Sequence, residues 1–481
     1  MKILVKTWVA LVSVLVIASC GGGSASSPAT GNPPVQPQNL VATKGSGVQK
    51  NTLTWDPVAG ATSYNLYWSN TGTASKTSGT LISNVTSTFT HAQLNAGTYS
   101  YVVTALNENG ESGESTPASA SVNLVSFVTS TTGNSNLSTW PDAISAGSVT
   151  GTAAGDAICQ ARAAAAGLVG TYKAWISSSA DDAYCRVQNL SGKRSANCGQ
   201  GSLPTAAGPW VRTDGLPFAP TIDKIGSYIY APPAYDESGA LFSDTEALAL
   251  SGTDYIGTAN IAGIWTACSD WTDGTNILAM TGGYVGMTTA NWAYGFGFTC
   301  DTIHPLYCLQ TGTGPALVFP QTAGKKVFVT STIYDGNLGG LSGADAKCQA
   351  RALAAGLANP TSFKAWVSDS STDAISRLTS NGPWVKIDGI KVADSKADLS
   401  DGAIFTSINQ NESGNYMIYQ VWTGTIGAGT KAGNTCGDWT DNSPGVQGST
   451  GSMQGALKSG LWTASGDAAC NTLGSLYCFE D

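Results

Sequence analysis

The chain has 481 residues, enough for about three domains of ordinary size, and only 11% of them are charged. The formal net charge of −9 disfavours binding to nucleic acids, anionic lipid surfaces and heparin-like polyanions, because like charges repel. The 58 Gly and 14 Trp residues indicate an extracellular, loop-rich protein with enough aromatic side chains to fill cores, which argues against a disordered chain.

The first twenty residues carry the pattern of a bacterial secretion signal. Lys2 and Lys6 precede an apolar run from Trp8 to Ile17, and this run is shorter than the roughly 20 residues that a membrane-spanning helix needs. It ends in Ile-Ala-Ser-Cys, which resembles the lipobox of bacterial lipoproteins. The resemblance implies a signal peptide at 1–19 and acyl chains on Cys20. It also implies an extracytoplasmic location in the bacterial cell envelope, at the outer membrane or the cell surface.

Residues 20–37 are rich in Gly, Ser and Pro and predict a flexible tether. Between 38 and 124, short alternating strands are separated by turn residues. The clearest strand places Tyr99, Tyr101 and Val103 on alternate positions, as in a half-buried strand.

This segment resembles a fibronectin type III domain, which is a β-sandwich. In the resemblance, Trp55 matches the core Trp of the second strand and Tyr64 the core aromatic of the third. Leu94 followed by Tyr99 matches the region of the tyrosine corner. We therefore expect these four residues to have structural roles.

The remainder of the chain contains an internal repeat. Cys-Gln-Ala-Arg-Ala occurs at 159–163 and again at 348–352. Lys-Ala-Trp and Pro-Trp-Val also recur, and each copy ends in a Trp and two Cys spaced eight residues apart. These matches predict copy 1 at 126–309, a linker at 310–325 and copy 2 at 326–481.

Each copy contains one clear helical segment. The Ala-rich run from Ala346 to Ala355 predicts a helix with Ser342 as its cap and Gly356 as its stop. Residues 155–167 repeat this design in copy 1. The rest of each copy predicts short strands and long Gly-rich loops, so each copy is expected to be an α+β domain.

The cysteine count fits an oxidising compartment. Assigning Cys20 to the lipid leaves ten of the 11 Cys, the number needed for five disulfides. Cys185 and Cys198 lie in an insertion of copy 1, and a disulfide that closes their own loop is the economical pairing. The other eight stand four to a copy, and the sequence alone permits three pairings of each set of four.

The order of a Cys in the first helix, Lys-Ala-Trp, Pro-Trp and Cys-Gly-Asp-Trp-Thr resembles the endostatin-like branch of the C-type-lectin-like fold. That branch is common as an uncharacterised domain of bacterial lipoproteins, and the resemblance covers both copies. In this family the first Cys pairs with the last and the middle two pair together. The resemblance thus implies four disulfides: Cys159–Cys308, Cys268–Cys300, Cys348–Cys478 and Cys436–Cys470.

Copy 1 departs from copy 2 in one loop. It lacks the segment between Trp265 and Cys268 that separates Trp422 from Cys436, so we expect a shorter loop there. The fold class that follows is multidomain: a fibronectin type III β-sandwich, then two disulfide-stapled α+β domains of the C-type-lectin-like, endostatin-like class.

Few residues suit catalysis. The two His residues, His91 and His304, lie in different segments, and every Cys has another assignment. A Ser-His-Asp or Cys-His arrangement and a His-ligated zinc site therefore lack members. We predict no enzyme, no catalytic residue, no metal and no cofactor.

Aspartate pairs beside a Cys and a Trp recur in both copies and are the candidate ligand-binding residues: Asp270 with Asp273, and Asp438 with Asp441. One alternative is a general acid–base pair acting on sugars. Another is a set of calcium ligands, with Asp335 and Asn337 as a second cluster. Turn-forming Asp residues are favoured over both, and core positions are favoured for the Trp residues over sugar-stacking ones.

The function that we expect is a cell-surface lipoprotein acting as a binding or adhesion module for a glycan or an extracellular or envelope protein. Its partners would be the membrane, through the lipid anchor, and this ligand, for which two copies could add avidity. The sequence does not indicate an oligomeric state. An envelope scaffold without a small ligand is the alternative, and a carboxylate-dependent carbohydrate-active enzyme is the third hypothesis.

Overall fold

The computed structural model describes residues 31–244, 247–260, 267–277, 279–319, 322–457 and 460–481. The predicted signal peptide and Cys20 lie outside these ranges. The described chain forms three units, a β-sandwich followed by copy 1 and copy 2. Within the described ranges, no helix combines the length and the apolar character that a membrane crossing requires.

The first unit is built from two antiparallel sheets. One contains β1, β2 and β5, and the other contains β4, β3, β6 and β7, with β8 also paired to β6. The strands are β1 (Val41–Lys44), β2 (Asn51–Thr54), β3 (Ser63–Ser69), β4 (Thr80–Val85), β5 (Phe89–His91), β6 (Gly97–Asn107), β7 (Gly110–Glu111) and β8 (Ala118–Val122).

The core residues predicted for this sandwich lie where expected. Trp55 is buried, and its ring meets that of Tyr64 edge to face, with centroids 5.4 Å apart. Leu94 is also buried. The Tyr99 hydroxyl donates to the carbonyl of Asn95 at 2.9 Å, which is the contact of a tyrosine corner. The β-sandwich and its packing residues are therefore confirmed.

Copy 1 places helices on a five-stranded sheet of order β10-β16-β9-β11-β12, with a second sheet of order β13-β14-β15. Its elements are β9 (Leu124–Val128), α1 (Pro141–Ser145), α2 (Gly151–Ala165), β10 (Tyr172–Ala174), α3 (Ala183–Arg186), β11 (Trp210–Arg212), β12 (Pro217–Ala219), β13 (Leu248–Leu250), α4 (Ala267–Trp271), β14 (Ala279–Tyr284), β15 (Phe296–Thr299) and β16 (Tyr307–Gln310).

Copy 2 repeats the order of the strands, while α1 belongs to copy 1 and α7 to copy 2. Here the two sheets join, because β21 pairs in parallel with β24. Its elements are β17 (Lys325–Val329), α5 (Gly340–Ala354), β18 (Phe363–Ala365), α6 (Ala374–Arg377), β19 (Trp384–Val385), β20 (Lys391–Ala393), α7 (Lys396–Ser400), β21 (Gln420–Trp422), α8 (Cys436–Trp439), β22 (Gln447–Ser452), β23 (Gly466–Ala469) and β24 (Ser475–Glu480).

The helix predicted in each copy is present but begins earlier than expected. Helix α5 starts directly after Gly339, whose φ of +83° only glycine adopts readily, so Ser342 lies in the first turn. The assignment of Ser342 as the cap is therefore wrong. The stop is correct, since Gly356 has a φ of +69° just past the helix end.

The prediction of a shorter loop in copy 1 is wrong. Leu250 ends β13 as Trp422 ends β21, and each strand pairs with the next strand of its own copy. The loop from Leu250 to Cys268 is longer than the loop from Trp422 to Cys436. The prediction equated Trp422 with Trp265, which lies outside the described residues. The pairing of the strands shows that Leu250 is the equivalent of Trp422, although the residue type differs.

Five disulfides staple the two copies, and they are the five pairs that the sequence analysis names. They are Cys159–Cys308, Cys185–Cys198, Cys268–Cys300, Cys348–Cys478 and Cys436–Cys470. In each copy one bridge ties the long helix to the last strand. A second bridge ties a short turn to the segment just before that strand.

The two copies pack against each other through a polar contact. Lys386 is fully buried and donates to the carbonyl of Tyr230 across the interface at 3.1 Å. Its ammonium lies 3.5 Å from a carboxylate oxygen of Asp388, which also accepts from the Tyr416 hydroxyl at 2.8 Å. The Tyr416 ring stacks on that of Tyr228 with centroids 4.3 Å apart. Burial lowers the pKa of Lys386, and the neighbouring Asp388 opposes that shift.

The sandwich is also docked on copy 1. The side chain of Gln49 forms a reciprocal pair with the backbone of Val169, in which its amide donates and its carbonyl oxygen accepts, both at 2.7 Å. Asn123 of the sandwich segment also donates to the carbonyl of Pro315 in the linker at 2.8 Å. The three units are thus joined by specific contacts in addition to the chain itself.

Candidate functional site

The two predicted aspartate pairs occupy the same place in both copies and make the same contacts. Asp270 accepts from the backbone amide of Ser179 at 2.7 Å and from its hydroxyl. Asp438 accepts from the amide and hydroxyl of Ser370, each at 2.7 Å. These hydrogen bonds lower the pKa of Asp438, so its carboxylate is held ionised.

The second member of each pair is engaged locally. Asp273 accepts from the amide of Thr275, and Asp441 from the amide of Ser443, both at 2.7 Å. The contact to Ser443 lowers the pKa of Asp441. A general acid needs a raised pKa instead. These contacts favour turn-forming roles, and a ligand role for the four residues stays a prediction.

The backbone at these aspartates explains why the motif recurs. In α4, Cys268, Ser269 and Asp270 have φ values of +49°, +53° and +54°, which makes α4 a left-handed helical turn. In α8, Cys436, Gly437 and Asp438 lie in the same region, at φ values from +49° to +57°. The turn aims its last Trp inward: Trp271 donates to the Ser177 carbonyl, and Trp439 to the Ser368 carbonyl, both at 2.7 Å.

A swap between the copies tests this strain. Ser269 and Gly437 occupy the same left-handed position, and an L residue there costs about 1–2 kcal/mol. Ser269→Gly is expected to raise the free energy of unfolding of copy 1 by about 0.5–1 kcal/mol, after the greater chain entropy of glycine is subtracted. Gly437→Ser should lower that of copy 2 by about 1 kcal/mol. Calorimetric unfolding of both variants measures this, and equal shifts of the same sign would contradict it.

The second acidic candidate is also part of a turn. Asp335 accepts from the amide of Asn337 at 3.1 Å and from the side-chain amide of Asn442 at 3.0 Å. In the part of the chain that the structure describes, no group of three or more His, Cys, Asp or Glu side chains is arranged to hold a metal ion. The calcium hypothesis therefore gains no support from these residues.

The two histidines pack against aromatic side chains. His91 sits inside the sandwich with its Nδ1 3.3 Å from the Tyr101 hydroxyl and its ring 5.0 Å from that of Trp68. His304 packs on Phe298 with ring centroids 4.2 Å apart. Burial lowers the pKa of both imidazoles.

The lowered pKa of His91 predicts a pH dependence of stability. The unfolded chain binds a proton at His91 more readily than the folded sandwich does. Stability is therefore full above the unfolded pKa, about 6.5, and declines as the pH falls below it. His91→Phe should reduce the slope of unfolding free energy between pH 7.5 and pH 5, leaving the part due to His304. An unchanged slope in urea titrations would contradict the assignment.

The tryptophans fill cores, as predicted. Nine of them are among the largest fully buried side chains: Trp175, Trp210, Trp271, Trp292, Trp366, Trp384, Trp422, Trp439 and Trp462. In copy 2 the rings of Trp366 and Trp462 lie 5.0 Å apart, and in copy 1 those of Trp175 and Trp292 lie 5.4 Å apart. No sugar platform is formed by these nine side chains.

One repeated carboxylate was not singled out from the sequence. Glu237 of copy 1 is buried and accepts from the amide of Ser130 at 2.9 Å, and Glu412 of copy 2 does the same with Ser331. Arg351 lies 3.3 Å from Glu412. The recurring Glu-Ser-Gly motif was the available signal. These contacts hold the residues that follow the first strand of each copy, and they indicate a structural role for both Glu residues.

An aromatic groove is present in copy 1 in addition to the scaffold that the two copies share. It has a volume of about 350 Å³ and is lined by Thr281, Tyr294, Gly295, Phe296 and Gly297. Phe296 is 62% exposed and Tyr294 is 43% exposed, whereas the nearby Trp292 is buried. Exposed aromatic side chains around a concave surface are typical of interaction sites.

Copy 2 lacks these rings. Strand pairing places Phe296 opposite Gly282 in copy 1 and Gly466 opposite Thr450 in copy 2, so Gly466 takes the place of Phe296. Ala464 correspondingly takes the place of Tyr294. The sequence already indicated this difference. The segments from Trp292 to Cys300 and from Trp462 to Cys470 have equal length, but only the first contains aromatic residues between its ends.

Known protein families and solved structures are similar to parts of the chain. Residues 331–455, within copy 2, match the family described as "Protein of unknown function (DUF1554)". Among curated proteins, none matches the chain.

Solved structures similar to the chain are Fn3-like. An Fn3-like protein from Clostridium thermocellum is 33% identical, with 18% of this chain and 91% of that chain covered and a TM-score of 0.17. The structure titled FN3tt mut is 24% identical, with 19% and 97% covered and a TM-score of 0.17. The chain therefore has Fn3-like structural neighbours over about a fifth of its length and matches a family of unknown function within copy 2.

Proposed function

We propose that the chain is a binding or adhesion module of the bacterial cell envelope, and that copy 1 presents its binding surface. The observation that carries this proposal is the aromatic groove, where Phe296 on the edge strand β15 and Tyr294 just before it are exposed. Burying such rings against a partner gains free energy at about 25 cal/mol per Å² of apolar surface. Leaving them in water serves no folding purpose.

The comparison of the two copies supports this reading. The repeated polar groups, among them Asp270 with Asp438 and Glu237 with Glu412, have internal hydrogen-bond partners. They maintain a shared scaffold. The rings of Phe296 and Tyr294, which copy 1 adds to that scaffold, are exposed. Exposed differences on a common scaffold are where binding specificity resides.

We further propose the finer class of both copies, the endostatin-like branch of the C-type-lectin-like fold. Support comes from the first-to-last pairing Cys159–Cys308 and Cys348–Cys478, with the inner pairs nested between them. A helix packed on a sheet that contains both the first and the last strand of each copy adds to it. This is an argument from fold and does not name a ligand.

The proposed attachment to the membrane is a lipid on Cys20. Radiolabelled palmitate should enter the wild-type protein and should not enter Cys20→Ala. Incorporation that persists in the variant would contradict the anchor. The binding proposal for the groove does not depend on this outcome.

The proposal is tested with residues 21–481, produced with disulfides formed, on arrays of glycans and extracellular-matrix proteins. A saturable ligand that is lost in the double variant Tyr294→Ala, Phe296→Ala supports the groove. Tyr255→Ala is the matched control, because Tyr255 is a copy 1 tyrosine with a similar exposure of 44% outside the groove. Repeating the arrays with calcium and with a chelator tests the aspartate pairs. Blank arrays would remove the proposal.

A second candidate function, an envelope scaffold, is favoured by the contacts between units. Lys386 and Tyr416 of copy 2 dock on copy 1, and Gln49 of the sandwich docks on copy 1 as well. Such docking would suit a rigid spacer. Loss of envelope integrity on deletion of the gene, restored by the groove double variant, would support the scaffold over the binding module.

A further inference from the structure

We infer that the ligand of the aromatic groove is a neutral glycan, held by stacking of its sugar rings on Phe296 and Tyr294. This inference rests on the proposed function and names the ligand class of the same site. It uses the side chains of the groove, the backbone beneath them and the contrast with copy 2.

The chemistry of the lining fits an uncharged ligand with apolar faces and polar edges. None of the five residues that line the groove carries a charge, so the lining offers no ion pair to a sulfated or uronic polysaccharide. A pyranose ring presents C–H groups on one face and hydroxyls at its rim. The C–H face matches the aromatic rings, and the hydroxyls match peptide groups and water.

The lining of the groove has few side chains. Gly295 and Gly297 have none, so Thr281, Tyr294 and Phe296 supply the side chains of the lining. The volume of about 350 Å³ lies near the lower end of the range of about 300–1,000 Å³ for small-molecule sites. A short oligosaccharide segment fits this class of site better than a folded protein surface does.

The groove is also held firmly in place. The amide of Gly295 donates to the Gly282 carbonyl at 2.7 Å, and strand β15 pairs along its length with β14. A Cβ on Gly295 would lie 2.5 Å from the ring of Tyr284, which shows how closely that ring supports the floor. Pre-formed sites lose less entropy on binding, which suits weak contacts made by sugar rings.

Strand addition by an extended peptide is the competing use of this edge. Strand β15 is the edge of its sheet in copy 1, and β23 is the equivalent edge in copy 2. A peptide that binds through backbone hydrogen bonds would find an edge in both copies, whereas the aromatic rings exist in one only. Gly466 has a φ of +154°, which disfavours an aromatic residue at that position of copy 2. The feature specific to copy 1 is therefore the pair of rings.

The experiment measures binding of residues 21–481 to hexaoses of glucose, mannose, xylose and N-acetylglucosamine by titration calorimetry, with chelator present. At least one hexaose is expected to bind, and Phe296→Ala is expected to weaken it on the order of tenfold. Phe296→Tyr should retain binding, because the ring remains. Tyr255→Ala should bind as the wild type does. Thermal unfolding of each variant checks that the fold is intact, which the exposure of Phe296 favours.

Three results would overturn the inference, and they separate it from the proposed function. If a hexaose binds equally well to Phe296→Ala, the rings are not the glycan site. If no hexaose binds but an extended peptide does, and Phe296→Ala weakens it, the groove is a peptide site and the binding proposal stands. If neither arrays nor titrations yield a ligand, both the inference and the proposed function fail.

Discussion

Gly451→Ala is expected to destabilise copy 2 by about 4 kcal/mol or more, enough to unfold it at physiological temperature. A Cβ on Gly451 would lie 2.1 Å from the carbonyl oxygen of Trp462, and that oxygen belongs to the backbone. Neither partner can move alone, because Gly451 pairs with Val421 in the sheet. Calorimetry should show the copy 2 transition shifted far down or missing.

Two other glycines make this result specific. Gly283 of copy 1 meets the carbonyl oxygen of Trp292 even more closely, at 1.8 Å, so Gly283→Ala should remove the copy 1 transition in the same way. Gly445 has nothing within 4 Å of an added Cβ, and Gly445→Ala should leave both transitions within about 0.5 kcal/mol of the wild type. A small effect of Gly451→Ala would mean that the strand is not packed against Trp462 as described.

Lys386→Ala is expected to lower the free energy of unfolding by about 3–5 kcal/mol. The substitution leaves Asp388 without its buried cation and the carbonyl of Tyr230 without a donor. It also removes the cation–π contact with the Tyr416 ring, whose centroid lies 5.2 Å from the ammonium. Urea unfolding of the whole chain, followed by tryptophan fluorescence, measures the loss.

The matched control for Lys386 is a lysine of the same copy with an exposed partner. The Lys391 ammonium lies 2.7 Å from Asp394, and the two side chains are 37% and 55% exposed, so Lys391→Ala should cost about 0–1 kcal/mol. The two values compare a buried and an exposed ion pair within one fold. Similar costs for the two variants would show that Lys386 is not desolvated at the interface.

Much of the fold could be predicted because it depends on residue types that are scarce in the chain or that recur in both copies. The tyrosine corner at Tyr99 and the helix stop at Gly356 each depend on one side chain or one backbone conformation. The five disulfides followed from the Cys count together with a family resemblance. The internal repeat then marked most buried positions twice, which separates core tryptophans from incidental ones.

The errors and omissions have a common physical origin. Leu250 replaces Trp422 in the equivalent strand, and an alignment that follows the identity of one residue cannot detect this. Phe296 is exposed because no other part of the protein packs over its ring. The pattern of apolar residues in a sequence does not show which of them stay uncovered. Lys386 and Tyr230 are far apart in the chain, so their contact depends on how the copies dock.

The disulfides that tie each long helix to the last strand of its copy have a consequence for resistance to proteolysis. Cys159–Cys308 spans 149 residues and Cys348–Cys478 spans 130. A protease that cuts one exposed loop inside either span releases no fragment, since both new ends remain covalently joined. A single cleavage can divide the described protein only outside these two rings, for example in the linker. A nicked molecule would thus keep its groove joined to the rest of the chain, and the cleavage would be visible only after reduction.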